Sequence, residues 1–255
     1  MGNGLNKTMA KKIKDGDNKR ETSVEFDGVT KSYTLHHQKP TLIEQIFKTT
    51  KREKFVALDN ISLKIFKGEK VAIIGSNGSG KTTMLKIIAR ITNSTFGSVK
   101  TEGKVVSLID LTAGFHPELT GYENIFLNGL LIGMSKQDIK EKIDEIVEFT
   151  DIGKFIYSPI FTYSEGMKLR LGFSVAIFSE PDILVLDEGL MAGDSDFHKK
   201  SGNKIKEMFK KDKTIIVVSH WLSYLEQNCN RFIYVKEGKI EMDGGKEVIN
   251  YYKNL

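Results

Sequence analysis

Residues 75–82 run Gly75, Ser76, Asn77, Gly78, Ser79, Gly80, Lys81, Thr82, a match to the phosphate-cradling pattern G-x-x-x-x-G-K-[ST]. Its flanks constrain the fold as much as the loop does. Lys70 to Ile74 is an apolar run that reads as a buried strand, and Thr83 to Ile91 repeats apolar residues at helical spacing. A strand, a glycine turn and a helix in that order point to an α/β domain. The glycines let the backbone wrap an anion, so that successive N–H groups and the helix N-terminus aim at phosphate oxygens. Lys81 is expected to reach the β- and γ-phosphates, and the Thr82 hydroxyl to ligate Mg²⁺. The nucleotide contacts are expected to run from Gly75 to Thr83.

The order of the remaining elements suggests where this loop sits. Val24 to Tyr33 reads as a first strand with its turn, and Phe55 to Phe66 alternates apolar and polar residues like a half-buried strand. Between them, Gln38 to Lys54 fits a short amphipathic helix: Pro40 suits its first turn, and Leu42, Ile43, Ile46 and Phe47 fall on one face. Short strands are expected at Gly97–Lys100 and Lys104–Ile109, and a largely helical stretch from about Gly121 to Phe178. Strand patterning returns at Asp182–Asp187, Thr214–Ser219, Arg231–Val235 and Lys239–Met242. A helical block between two sets of strands reads as an insertion into one mostly parallel sheet. No repeat or low-complexity segment interrupts the pattern.

Composition sets the outer bounds. At 255 residues the chain is one large domain, or one domain with a subdomain, and 40% hydrophobic residues suffice for a sizeable core. The longest apolar runs fall far short of the roughly 18 residues that a membrane span needs. Met1 to Thr22 is polar and lysine-rich, without the apolar core of a secretory signal, and Asn6 breaks the myristoylation pattern. Cys229 is the single cysteine, so no internal disulfide can form, in keeping with a reducing cytosol. Net charge is +5, and the first 23 residues form a basic polar tail. That tail suits an anionic membrane surface, or is simply solvated and disordered; no nucleic-acid motif accompanies it.

Three further segments carry chemistry. Ile183 to Leu186 is a continuous apolar strand followed by Asp187 and Glu188. The carboxyl ends of buried parallel strands face the ligand crevice. Asp187 is therefore expected to hold Mg²⁺ through water, and Glu188 to polarise the water that attacks a γ-phosphate. Thr214 to Ser219 is another such strand and ends at His220, placed to contact the γ-phosphate. Tyr163, Ser164, Glu165, Gly166 and Met167 precede an apolar helix, where a serine serves equally as an N-cap and as part of an anion site.

In combination and order these residues resemble the nucleotide-binding subunit of an ABC transporter. Gly75–Thr82 looks like its Walker A loop, Ser164–Gly166 its signature loop and Ile183–Glu188 its Walker B strand with catalytic glutamate. Ala192, Gly193 and Asp194 look like the D-loop, and His220 the switch histidine. The resemblance covers roughly Val24 to the C-terminus. It implies a P-loop NTPase fold with a mostly parallel core sheet, an antiparallel β subdomain and an inserted α-helical subdomain at about 111–178. It implies ATP and Mg²⁺ as ligands, with Glu188, His220 and Lys81 acting in hydrolysis. Two copies would meet head to tail, with ATP between the Walker A loop of one and Ser164–Gly166 of the other. They would serve two transmembrane permease subunits at the cytoplasmic face of the membrane.

Finer features resemble exporters of lipid-linked polysaccharide of the teichoic acid, O-antigen or capsule type. These are Ala113 to Gly121, the spacing from Asp187-Glu188 to Asp194, and the Gln38–Lys54 insertion, which matches an amphipathic gate helix facing the permease. A surface-packed helix is the alternative for that insertion. Three positions depart from or strain the pattern. Asp110 lies where the Q-loop glutamine is expected and could bind Mg²⁺ or water. Glu165 replaces a glycine or serine beside the γ-phosphate, where its charge would repel ATP unless turned away. Tyr33 is placed to stack on adenine, or equally to be a strand-end core tyrosine.

A drug or peptide exporter would share the same chemistry. A non-transport ATPase switch usually carries two such domains or a long coiled coil, and a kinase or GTPase would lack the signature loop. With the sequence ending shortly after Tyr252, glycan selectivity is expected to live in the membrane partner.

Overall fold

A computed structural model describes residues 20–35, 53–187 and 195–255. In chain order the strands are β1 (Thr22–Leu35), β2 (Glu53–Phe66), β3 (Lys70–Ile74), β4 (Phe96–Thr101), β5 (Val105–Ser107), β6 (Ile183–Leu186), β7 (Thr214–Val218), β8 (Arg231–Lys236) and β9 (Lys239–Gly244). The helices are α1 (Lys81–Ile88), α2 (Gly121–Leu131), α3 (Lys136–Thr150), α4 (Glu165–Phe178), α5 (Ser195–Lys210), α6 (Leu222–Asn228) and α7 (Lys246–Lys253).

Six strands form the central sheet in the order β5-β6-β7-β3-β8-β9, parallel throughout except for the last pair. The apolar runs are continuous because the sheet is covered on both faces. Side chains alternate between those faces. Ala72, Ile74, Leu184, Leu186, Ile215 and Val217 pack on one side with Phe173 of α4, Phe197 and Met208 of α5, Leu225 of α6 and Val248 of α7. Val71, Ile73, Ile183, Val185, Ile216 and Val218 pack on the other with Met84, Leu85 and Ile88 of α1 and with Phe26, Leu58 and Ile65. The last three belong to a three-stranded antiparallel sheet ordered β2-β1-β4.

The inserted helices α2, α3 and α4 enclose a third core of Ile125, Ile139, Ile143, Ile146, Leu171 and Val175. Local chemistry sets their starts. Thr120 and Glu123 form a reciprocal capping box on α2, and Ser135 and Asp138 form another on α3. A ring cluster of Phe149, Phe173 and Phe197 joins α3, α4 and α5, tying the insertion to the main sheet. Gly172 of α4 lies against the chain after β5; a Cβ there would fall 2.2 Å from the Leu111 carbonyl oxygen.

Three expectations change. Thr22 already pairs with Phe66, so the basic tail gives way to sheet before residue 24. Glu53 and Lys54 belong to β2, paired with Leu35 and Thr34, so the expected helix cannot extend through Lys54. The rest of that segment, 36–52, lies outside the described residues. Helices α5, α6 and α7 were not anticipated. They lie among charged or short segments whose apolar residues become an organised face only against the sheet. Cys229, after α6, is buried, and burial pushes its thiol up to about 12.

Candidate functional site

Strand β3 delivers the chain to the glycine loop, and three residues there occupy backbone that favours glycine: Gly75 (φ 153°), Gly78 (φ 77°) and Gly80 (φ 109°). Gly75 has no room for a side chain, since a Cβ would lie 2.2 Å from the Val235 carbonyl oxygen. Gly78 faces open space. Gly80 is the N-cap of α1 and offers no side-chain cap, so the first N–H groups of the helix are left facing the loop's concavity. Lys81 folds back over that concavity, its Nζ donating to the Gly75 and Ser76 carbonyls at 2.9 Å each. Ser79 is buried, and its Oγ makes no hydrogen bond among the described residues. Exposed backbone donors, a lysine head and a helix N-terminus together fit a polyphosphate.

Sheet order does the rest. Strands β6, β7 and β3 lie side by side, so the residues after their carboxyl ends meet. Asp187 follows β6, His220 lies two residues beyond β7, and both join Asn77, Gly78, Lys81, Thr82 and Thr83 around one cleft. Phe55 and Ala57 of β2 also line it, and the cleft holds about 280 Å³. A larger cavity of about 490 Å³ shares Asp187 and His220 but runs away between Ile205, Trp221 and Tyr224, with no residue of the glycine loop. The glycine-lined cleft is the one whose lining fits phosphate.

Phe55 was missed in the sequence. It is 45% exposed, lines the cleft, and sits directly opposite Tyr33 in the β1–β2 register. Opposed residues of an antiparallel pair share a face, so the two side chains lie on the same side of the sheet. Tyr33 itself does not line the cleft; Lys31 Nζ stands over its ring at 4.9 Å. The signal available in the sequence was an aromatic pair bracketing the insertion, but only the register brings the two together.

The other expected site residues stand elsewhere. Ser164 is the N-cap of α4, its hydroxyl accepting from the Met167 N–H at 3.2 Å, and Gly166 beside it is open. Neither lines the cleft. Glu165 is turned to Lys168, at 2.7 Å, which compensates the charge that would otherwise oppose an anion. Tyr163 is buried beneath this turn, donates to the Phe155 carbonyl at 2.6 Å, and has its phenol pushed up to about 12 by burial. Asp110 is exposed, accepts from the Thr112 hydroxyl at 3.4 Å and is not part of the cleft wall. Glu188 and Asp194 lie outside the described residues. No cluster of three or more His, Cys, Asp or Glu capable of holding a metal by itself occurs among the described residues.

The sequence pattern of the family described as ABC transporter matches residues 58–191, which takes in the glycine loop, the α4 turn and Asp187. The chain belongs to the ABC transporter family. This cassette is 41% identical over 241 residues to the O-antigen export system ATP-binding protein RfbB of Klebsiella pneumoniae, covering 91% of the chain and 98% of that relative. It is 42% identical over 231 residues to the teichoic acids export ATP-binding protein TagH of Bacillus anthracis, covering 90% of the chain but 42% of that longer protein. Among solved structures it resembles the dimeric cassette MJ0796 in a post-hydrolysis state bound to ADP and Pi. The TM-score is 0.66 at 25% identity, covering 87% of this chain and 98% of that one. A second cassette, the ATP-binding subunit of an ABC transporter, matches with a TM-score of 0.70 at 21% identity and shows the shared fold. No helix among the described residues is long and apolar enough to cross a membrane.

Proposed function

We propose that this cassette is the ATP-binding and ATP-hydrolysing subunit of an exporter that moves lipid-linked cell-envelope polysaccharide across the cytoplasmic membrane. One observation carries the reading: an O-antigen export relative matched over 98% of its length, and a teichoic acid export relative matched over 42% of its length, each share about two fifths of the aligned residues. The convergence of glycine loop, Asp187 and His220 on one cleft supports the chemistry.

In this reading the loop Gly75–Thr83 holds the phosphates through its N–H groups, and Lys81 exchanges its carbonyl contacts for β- and γ-phosphate oxygens. Thr82 and Asp187 are oxygen donors of the kind Mg²⁺ accepts, with Asp110 a more distant carboxylate at the same sheet edge. Magnesium, when bound, neutralises charge on the phosphates. Glu188 orients and deprotonates the attacking water, and His220 contacts the γ-phosphate from the neighbouring strand. Tyr33 and Phe55 offer the base an aromatic surface.

Ser164 and Gly166 stand apart from the cleft of their own chain, which supports a head-to-tail homodimer in which they and Asp194 complete the partner's site. Two transmembrane permease subunits would seat that dimer peripherally on the cytoplasmic face, with the segment between β1 and β2 facing them. The cassette would run from Thr22 onward, preceded by its basic tail, with 111–178 as the helical subdomain.

Purifying the tagged protein from membranes in mild detergent tests this reading. The expected companions are a polytopic permease and a lipid-linked glycan. A companion permease of drug or peptide efflux would overturn the polysaccharide assignment.

A further inference from the structure

The glycine loop is braced from behind by a turn that contributes nothing to the cleft wall. Strands β8 and β9 are joined through Glu237 (φ 49°) and Gly238 (φ 76°), with Lys236 and Lys239 paired across them. Two successive residues with positive φ form the hairpin turn that matches strand twist. The Gly238 N–H donates to the Ser79 carbonyl at 2.9 Å, and the Gly238 carbonyl accepts from the Asp59 N–H at 2.9 Å. One residue therefore ties the phosphate loop to β2. An ion pair between Lys239 and Asp59, at 3.2 Å, repeats the second link through side chains.

Packing at this junction leaves no room for a methyl group. A Cβ on Gly238 would lie 2.9 Å from the Ala57 carbonyl oxygen, and one on Gly80 would lie 2.5 Å from the same oxygen. The β8 end presses on Gly75 through the Val235 carbonyl. Both glycine ends of the loop are thus held by backbone from β2 and from β8–β9. An anion site made of backbone N–H groups works only if those groups are held in their direction before the anion arrives.

We propose that Gly238 is a positioning residue for nucleotide binding, fixing the Ser79 carbonyl and through it the orientation of the loop's N–H donors. This rests on the reading of Gly75–Thr83 as the nucleotide cleft. Because Gly238 does not touch the reacting atoms, its effect falls on affinity rather than on the chemical step.

The experiment compares wild-type and Gly238→Ala full-length protein by calorimetric titration with MgADP and by steady-state ATP hydrolysis. The expected result is a rise of about tenfold in Kd for MgADP and in KM, with kcat at saturating ATP within about twofold of wild type. Gly238→Ala protein that keeps its nucleotide-free unfolding midpoint and binds MgADP like wild type would overturn the inference. So would a fall in kcat at constant KM. Amide exchange on the wild-type protein decides the matter if the variant does not fold. The Gly238 and Asp59 amides are expected to slow on MgADP binding, and unchanged exchange at both sinks the proposal. Wild-type protein that fails to bind MgADP would instead remove the nucleotide reading on which the inference rests.

Discussion

At the scale of single residues, the site divides into positions with no alternative and positions with a choice. Gly75 and Gly80 are fixed by sterics, since their neighbours are backbone atoms that cannot move aside. Phe55 is different: it is half-exposed, lines the cleft, and is not among the buried core residues. Stacking of a base on an aromatic ring contributes about 1–3 kcal/mol. Phe55→Ala should therefore raise KM for ATP at least about fivefold, the lower end of that range, with kcat and the unfolding midpoint little changed. Unaltered KM in this variant would leave the base to Tyr33 alone. Glu165 and Lys168 show how a sequence that looks hostile to an anion is reconciled, because the carboxylate is paired within its own helical turn.

At the scale of elements, the caps separate folding from function. Thr120 and Ser164 both cap helices of the inserted region through their hydroxyls. Loss of such a cap costs about 1 kcal/mol. Thr120→Ala and Ser164→Ala should therefore lower stability by similar amounts, read from denaturant midpoints. Only Ser164→Ala should also depress ATP hydrolysis, because its hydroxyl belongs to the loop assigned to the partner's nucleotide. Equal hydrolysis in the two variants would confine Ser164 to capping. The elements themselves were legible wherever period and length agreed. The strand Lys70–Ile74 coincides with its reading, and β6 and β7 differ only at their ends. Helix α5 escaped because it is rich in lysine: Lys200 and Lys204 lie over Phe149 and Phe178, so their stems help cover the core that apolar residues would otherwise signal.

At the scale of the whole molecule, the main observation is a separation. The glycine loop and the α4 turn are both suited to anions, yet one chain does not bring them together. Glu188→Gln should bind MgATP, turn over at least about a hundredfold more slowly, in line with losing a general base, and accumulate as a dimer in size-exclusion chromatography. Wild-type hydrolysis in that variant would remove Glu188 from its assigned role. The sequence by itself determined the phosphate loop, the acidic strand end, the histidine strand end and their common α/β frame. These depend on spacing, backbone freedom and apolar period, all of which are local. Tertiary structure alone decided that Phe55 meets the loop, that Asp110 stands off the cleft wall and that a hairpin turn near the C-terminus braces Ser79. Each of those is a matter of strand register or sheet order. Register and order come from packing between segments far apart in the chain, which no local pattern encodes.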